Sequence, residues 1–264
     1  MKNGMKLAAY QFAVSGDIEQ NCKIIKNAVR EASLKGADPI VFPECALTGY
    51  PPRDMASSSD TDFEAVNEAL RELQCIADDQ GIHIIVGSIA HCGTGCRNRA
   101  YLLSPNQPAR WYDKRALYGW DEDNFKPGSE KGVFEINGFR IGIRICFEVR
   151  FPEYFRELYL ENTNLDIVLF CDVADEDDET RYQMIRSHLI TRAVENVTPL
   201  LSANSIHPHQ TAPTCFIDAS GAVYAELGKD QEGLLIYAFN KRDLDFGELG
   251  RKRYTDILLG RDKE

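Results

Sequence analysis

The sequence predicts a mixed α/β (α+β) fold, on three observations. Hydrophobic periods of two and of about 3.6 residues alternate along most of the 264 residues. Cap and turn signals separate those periods at short intervals. No composition break, repeat or low-complexity tract divides the chain, so residues 1–264 are expected to form one domain.

The elements follow in order. Lys6 to Val14 reads as a strand. Asp17 caps a helix whose apolar positions Ile18, Cys22, Ile25, Val29 and Ala32 are spaced by four and three, and Gly36 ends it. Pro39 to Phe42 is a short buried strand stopped by Pro43. A second helix puts Phe63, Val66, Leu70, Leu73 and Ala77 on one face and stops at Gly81. Ile82 to Ile89 and Arg99 to Leu103 read as paired strands, and Val133 to Ile136 with Phe139 to Cys146 as a hairpin around Asn137-Gly138. Helix 152–162, strand 165–170 and helix 179–196 come next, followed by strands near 199–203, 214–218, 222–226 and 233–239. The polar tail 240–264 shows no packing pattern.

Composition narrows the function classes. A net charge of −11 gives no basic face for a phosphate backbone, so no nucleic-acid partner is expected. No apolar run approaches the roughly 18 residues of a membrane span. The opening MKNGMKLAAYQFAV contains Tyr10 and Gln11 and lacks a cleavage site, so a strand is expected there rather than a signal peptide. Eight cysteines without a framework spacing suit a reducing compartment, and the expectation is a cytoplasmic enzyme.

Several chemistries lack their signature. There is no G-x-S-x-G, H-E-x-x-H or G-x-x-x-x-G-K-[ST]. Gly93-Thr94-Gly95 starts a dinucleotide-like fingerprint, but Asn98 replaces its last glycine and strands flank it. His91, Cys92 and Cys96 lack a fourth zinc ligand, so no metal is expected.

Three segments carry chemistry. Val41-Phe42-Pro43-Glu44 places a carboxylate just past a buried strand. Tyr112-Asp113-Lys114-Arg115 precedes a Trp120 to Gly128 stretch. Arg144-Ile145-Cys146-Phe147-Glu148-Val149-Arg150-Phe151-Pro152-Glu153 ends an apolar strand on a cysteine. Alternation puts Phe139, Ile141, Ile143 and Ile145 on one face, and Arg140, Gly142, Arg144 and Cys146 on the less apolar one. Each segment alone fits an ordinary loop, surface or core residue.

Together the three resemble the nitrilase (carbon–nitrogen hydrolase) superfamily, with Glu44, Lys114 and Cys146 in its order, 70 and 32 residues apart. Arg192 to Asn196, Asn204 and Phe216 to Gly221 resemble its later elements, so the likeness spans nearly the whole chain. The resemblance implies a four-layer α-β-β-α sandwich and one carbon–nitrogen hydrolase domain. It also implies a homodimer or higher homo-oligomer, with the 240–264 tail a candidate for the interface. A second glutamate is expected near the Pro-Gly glycine; Glu122 is preferred, with Asp121 the fallback. The acidic run from Asp172 departs from the family pattern. It reads as a solvated loop, with Asp172 and Val173 as candidate pocket residues that would favour cationic substrates.

The residue types permit one mechanism. A free thiol titrates near ~8.5, so Cys146 needs a base, and Glu44 is expected to supply it. Lys114 and the backbone N–H of Phe147 would hold the oxyanion, and Glu44 would then protonate the leaving amine. A thioester on Cys146 is hydrolysed by water activated at the same carboxylate. No cofactor is needed. Glu122 would orient substrate or water, or tune Glu44. Arg144 could depress the Cys146 pKa or serve an ion pair elsewhere, and Arg150 and Glu153 are expected to pair locally beneath the nucleophile loop.

A small aliphatic amide is the first substrate choice. N-carbamoyl amine or nitrile hydrolysis, and a silent binding protein on the same fold, are the alternatives. LTGYPPRD at Leu47 to Asp54 resembles the glutaminase portion of glutamine-dependent NAD synthetases, which keeps a glutamine-type amide open. Acyl transfer onto lipoproteins would need membrane spans. A Cys–His enzyme would have to use His188, His207 or His209, and these fit a helix flank and a loop better.

Overall fold

The computed structural model describes residues 4–93 and 95–261; Thr94 of the glycine-rich turn lies outside them. The strands are β1 Gly4–Gln11, β2 Ile40–Val41, β3 Ile84–Cys92, β4 Gly95–Leu103, β5 Arg110–Asp113, β6 Val133–Ile136 and β7 Phe139–Ile145. They continue with β8 Leu165–Phe170, β9 Val173–Ala174, β10 Leu200–Asn204, β11 His209–Gln210, β12 Cys215–Ile217, β13 Val223–Glu226 and β14 Gly233–Asn240. The helices are α1 Ile18–Leu34, α2 Phe63–Gln80, α3 Trp120–Asn124, α4 Pro152–Leu160, α5 Glu179–Asn196 and α6 Phe246–Leu258.

Two six-stranded sheets form, ordered β14-β1-β2-β3-β4-β5 and β13-β12-β10-β8-β7-β6. Strand alternation decides what each face covers. Leu7 and Ala9 of β1 meet Ile141, Ile143 and Ile145 of β7 in a core between the sheets. Ala8, on the opposite face of β1, packs with Ile25 and Val29 of α1 and Leu73 of α2. Val168 and Phe170 of β8 pack on Phe155 of α4 and Leu189 of α5. The layers are therefore α-β-β-α, as the resemblance implied.

Local chemistry explains the ends. Asp17 accepts from the Gln20 N–H at the start of α1, and Asp62 caps α2, which stops at left-handed Gly81. The β6–β7 hairpin turns at Asn137 and Gly138, both with positive φ. The expected strand Lys6 to Val14 ends sooner, at Gln11, where β14 pairing also ends. The tail is not featureless: Asp245 and Glu248 form a capping box that starts α6. Strand β5 and the short α3 were not expected either.

A buried carboxyl sits under α4. Asp166 on β8 occupies space beside Gly142 of β7, where a Cβ would crowd both Leu158 and Asp166. Its Oδ1 has no hydrogen-bond partner among the described residues. Burial pushes the carboxyl from 3.8 up to about 7, with Thr163 and Arg144 opposing. Between those values the folded chain binds the extra proton, so stability falls as pH rises. Asp166→Asn is expected to stabilise the fold by on the order of 1–3 kcal/mol at pH 8 and hardly at pH 4. Urea unfolding at both pH values checks it, and an equal effect at both contradicts it.

Candidate active site

Strand ends converge at one end of the sandwich. Glu44 follows β2, Lys114 follows β5, Cys146 follows β7, and Cys171 and Asp172 follow β8. The Glu44 N–H donates across the sheets to the Phe170 carbonyl at 3.1 Å. The turn holding it leaves no room at Gly87, where a Cβ would collide with the Pro43 carbonyl and the Cys45 nitrogen. Gly128 plays the same part behind Lys114: its N–H donates to the Lys114 carbonyl at 2.9 Å, and a Cβ would strike Asp113.

The Glu44 carboxylate is 1% exposed and fully engaged. Its Oε1 accepts from Lys114 Nζ and from Asn98 Nδ2, each at 2.7 Å. Its Oε2 accepts from the Cys171 backbone N–H at 2.8 Å. Lys114, equally buried, also lies 2.7 Å from Asp121 Oδ2, whose other oxygen accepts from the Tyr50 hydroxyl at 2.7 Å. Burial alone would discharge the ammonium, but Glu44 and Asp121 outweigh it and hold Lys114 charged. Burial raises the Glu44 pKa, with Lys114 opposing and Asp121 adding to the rise.

Asp121, and not the preferred Glu122, is the second carboxylate at Lys114. A positive φ at Gly119 starts α3 so that Asp121 turns inward. Glu122 curls back, and its Oε2 accepts from the Gly119 N–H at 3.1 Å on the exposed side.

Cys146 begins a 3₁₀ turn, Cys146–Arg150, with φ of +46°. A non-glycine residue held there marks a turn fixed by its surroundings. Buried Glu148 does the fixing, because its oxygens accept from the Ile145 N–H at 2.8 Å, and from the Arg115 N–H and the Tyr112 hydroxyl at 2.7 Å each. It thereby ties the cysteine turn to the Lys114 segment. Sequence reasoning passed over Glu148, Asn98 and Tyr50. Only an unexplained polar residue beside each motif could have flagged them.

The Cys146 sulfur, half-buried, has Asp172 Oδ2 as its hydrogen-bond acceptor at 3.9 Å. Burial pushes its thiol well up, then Glu44 adds to the rise, while Lys114 pulls it down. Asp172 is not a solvated loop residue. It is 5% exposed, pairs with Arg181 Nε at 2.8 Å and accepts from the Thr211 hydroxyl. Only Asp175 to Glu179 of the acidic run are exposed. Val173 lies beside it in β9, paired with Gln210 of β11.

Other expected neighbours go elsewhere. The Arg144 guanidinium is buried beneath α4, donating to the Tyr154, Lys131 and Ile143 carbonyls and to Glu157. It takes the ion-pair role rather than tuning the thiol. Arg150 lies over the Phe147 ring and its carbonyl accepts from Arg192, whereas Glu153 is exposed and forms no ion pair among the described residues. His209 pairs with Asp230 at 3.4 Å. No group of three or more His, Cys, Asp or Glu side chains able to hold a metal occurs among the described residues. No described helix is long and apolar enough to cross a membrane.

Comparison with known proteins gives the family. Residues 6–245 match the family described as carbon-nitrogen hydrolase. The chain belongs to the carbon–nitrogen hydrolase family. It is 30% identical over 234 residues to a 2-oxoglutaramate amidase of Bacillus subtilis, covering 85% of this chain and 87% of that protein. It is 29% identical over 176 residues to the omega-amidase YafV of Escherichia coli, covering 66% of this chain and 64% of that protein. A nitrilase-superfamily amidase from Nesterenkonia, solved as a cysteine-to-alanine mutant, superposes with a TM-score of 0.80 at 25% identity, covering 99% of this chain and 98% of that one. This carbon–nitrogen hydrolase is therefore an enzyme of the nitrilase superfamily, and its relatives favour amide hydrolysis over the carbamoyl and nitrile alternatives.

Proposed function

We propose that this chain hydrolyses small primary amides through a thioester on Cys146, with Glu44 as general base and acid and Lys114 as oxyanion donor. Glu44 removes the thiol proton, and the sulfur attacks the amide carbon while the carbonyl electron pair moves to oxygen. Lys114 Nζ and the Phe147 N–H hold that oxygen. Collapse breaks the C–N bond, and Glu44 returns the proton to the departing nitrogen, giving ammonia and a thioester. Water, deprotonated by Glu44, attacks the thioester carbon. The C–S bond breaks, acid leaves and the thiol regains its proton. Asp121 keeps the Lys114 ammonium charged and fixed.

The observation that carries this reading is the buried Lys114 ammonium, 2.7 Å from both Glu44 and Asp121 beside a strained cysteine. No step calls for a metal or organic cofactor. We also read the chain as a single catalytic domain working as a homodimer in a reducing, cytoplasmic compartment. Phe246 at 94% and Leu258 at 83% exposure make α6 the face to cover, and all eight cysteines are free.

Ammonia release from butyramide, an N-carbamoyl amine and a nitrile tests the function. Turnover of the amide by the native chain and none by Cys146→Ala is expected; an active Cys146→Ala chain contradicts it. Sedimentation of the same preparation at the mass of one chain would remove the dimer from the reading.

A further inference from the structure

We propose that Asn98 is a positioning residue that makes Oε2 the proton-carrying oxygen of Glu44. The inference rests on the amide-hydrolase reading above and deepens it, assigning one atom of that carboxylate to the proton and one side chain to its control.

The donors at Glu44 are divided unequally. Oε1 accepts two, from Lys114 Nζ and Asn98 Nδ2 at 2.7 Å each, whereas Oε2 accepts one, from the Cys171 N–H at 2.8 Å. A carboxylate oxygen offers about two lone pairs. A proton arriving at Oε1 would have to displace a donor, and burial leaves that donor nowhere to turn. At Oε2 it meets an open lone pair and breaks no hydrogen bond. In the reaction the S–H bond of Cys146 breaks and an O–H bond forms at Oε2. The same oxygen then gives the proton to the departing nitrogen, with Lys114 and Asn98 bonded to Oε1 throughout.

Asn98 is itself fixed. Its side chain is buried within β4, and its Oδ1 accepts from the Cys45 thiol at 3.8 Å. That contact turns the amide so that its nitrogen faces Glu44; the reverse orientation would set Oδ1 against a carboxylate. The Asn98 carbonyl also accepts from the Lys114 N–H at 2.9 Å, so one residue holds the base through its side chain and the cation through its backbone. Lys114 alone gives no such direction. Its ammonium rotates, and its three N–H groups are divided between Glu44, Asp121 and, in the reaction, the oxyanion.

The ionisable groups around this carboxylate are Lys114, Asp121, Cys146, Tyr50, Cys45 and Cys171. Burial raises the Glu44 pKa and Asp121 adds to the rise, while Lys114 and the Asn98 donor oppose it. Removing that donor therefore raises the pKa further, and the ionised base forms at higher pH.

Asn98→Ala removes the donor, and Asn98→Asp puts an acid of the same shape in its place. For butyramide, the rising limb of kcat/KM against pH is expected about one unit higher in Asn98→Ala and higher still in Asn98→Asp, with KM within about twofold. Above that limb the base is ionised again, yet kcat of Asn98→Ala is expected to stay about tenfold below native, because the proton then finds either oxygen. An unmoved limb, or full recovery of kcat at high pH, overturns the proposal. If neither Asn98 variant folds, Cys45→Ala decides, since it frees the Asn98 amide to turn. A raised limb with kcat lowered about threefold supports the proposal, and native kinetics overturn it. If the native chain releases no ammonia, the amide reading fails, and Asn98 is judged on the alkylation of Cys146 by iodoacetamide, which draws on the same proton transfer. Slower alkylation with a raised limb in Asn98→Ala supports the role, and an unchanged rate overturns it.

Discussion

Lys114→Met is expected to lower kcat/KM for a small amide by more than about 10³ and to destabilise the fold. Loss of one oxyanion donor costs roughly 10²–10³ on its own. Here the same substitution also strips Glu44 of its cation, while Asp121 still pushes the Glu44 pKa up. The ionised base then forms only at higher pH, so the rising limb of the pH–rate profile should move upward. Two buried carboxylates left without their partner cost on the order of 3–5 kcal/mol. Lys114→Arg keeps the charge but presents a planar fork where a compact ammonium sits between two oxygens, and it should restore more stability than rate. Steady-state kinetics across pH together with urea unfolding of both variants check this. A methionine variant with near-native turnover would place the oxyanion elsewhere.

The neighbouring carboxylates should separate sharply. Asp121→Asn removes the negative charge 2.7 Å from Lys114 while keeping its shape beside Tyr50, and a loss of about 10- to 100-fold in kcat is expected. Glu122→Gln alters only a contact to the Gly119 N–H on the exposed side of α3, so activity should stay within about twofold, with a stability change of a few tenths of a kcal/mol. Side-by-side kinetics decide the matter. The opposite ranking would show that α3 is turned by one position in solution.

That pair also shows where sequence reasoning stopped. Glu44 and Cys146 could be read as residues just past apolar strands, but Lys114 ends a strand, β5, that was not expected, and only the family resemblance joined the three. Choosing between Asp121 and Glu122 required the starting angle of a five-residue helix, set by a positive φ at Gly119 that spacing does not encode. The four layers were implied by the family resemblance and not by the strand pattern; their physical basis is alternation, as Leu7 against Ala8 shows: one enters the core between the sheets and the other the core under the helices. The acidic run misled for a physical reason. Its members look alike in sequence, yet Asp172 at the end of β8 is buried by Thr211 and Arg181, while Asp175 onward are exposed. Glu148 was hidden because its partners are chiefly backbone N–H groups and a distant tyrosine hydroxyl. In α6, the capping box of Asp245 and Glu248 was readable, but the helix leaves Phe246, Leu249 and Leu258 exposed and so lacked a clear buried stripe.

The central claim is that the Cys146 sulfur performs the chemistry with Glu44 and Lys114 acting on it. The most direct measurement is alkylation by iodoacetamide, a reagent that carries an amide of its own, with site occupancy by mass and residual ammonia release followed in one reaction. Cys75 and Cys92 are exposed thiols and the natural competitors. The account predicts that Cys146 is modified ahead of both and that activity falls in step with its occupancy. Full modification of Cys146 with turnover intact would contradict it.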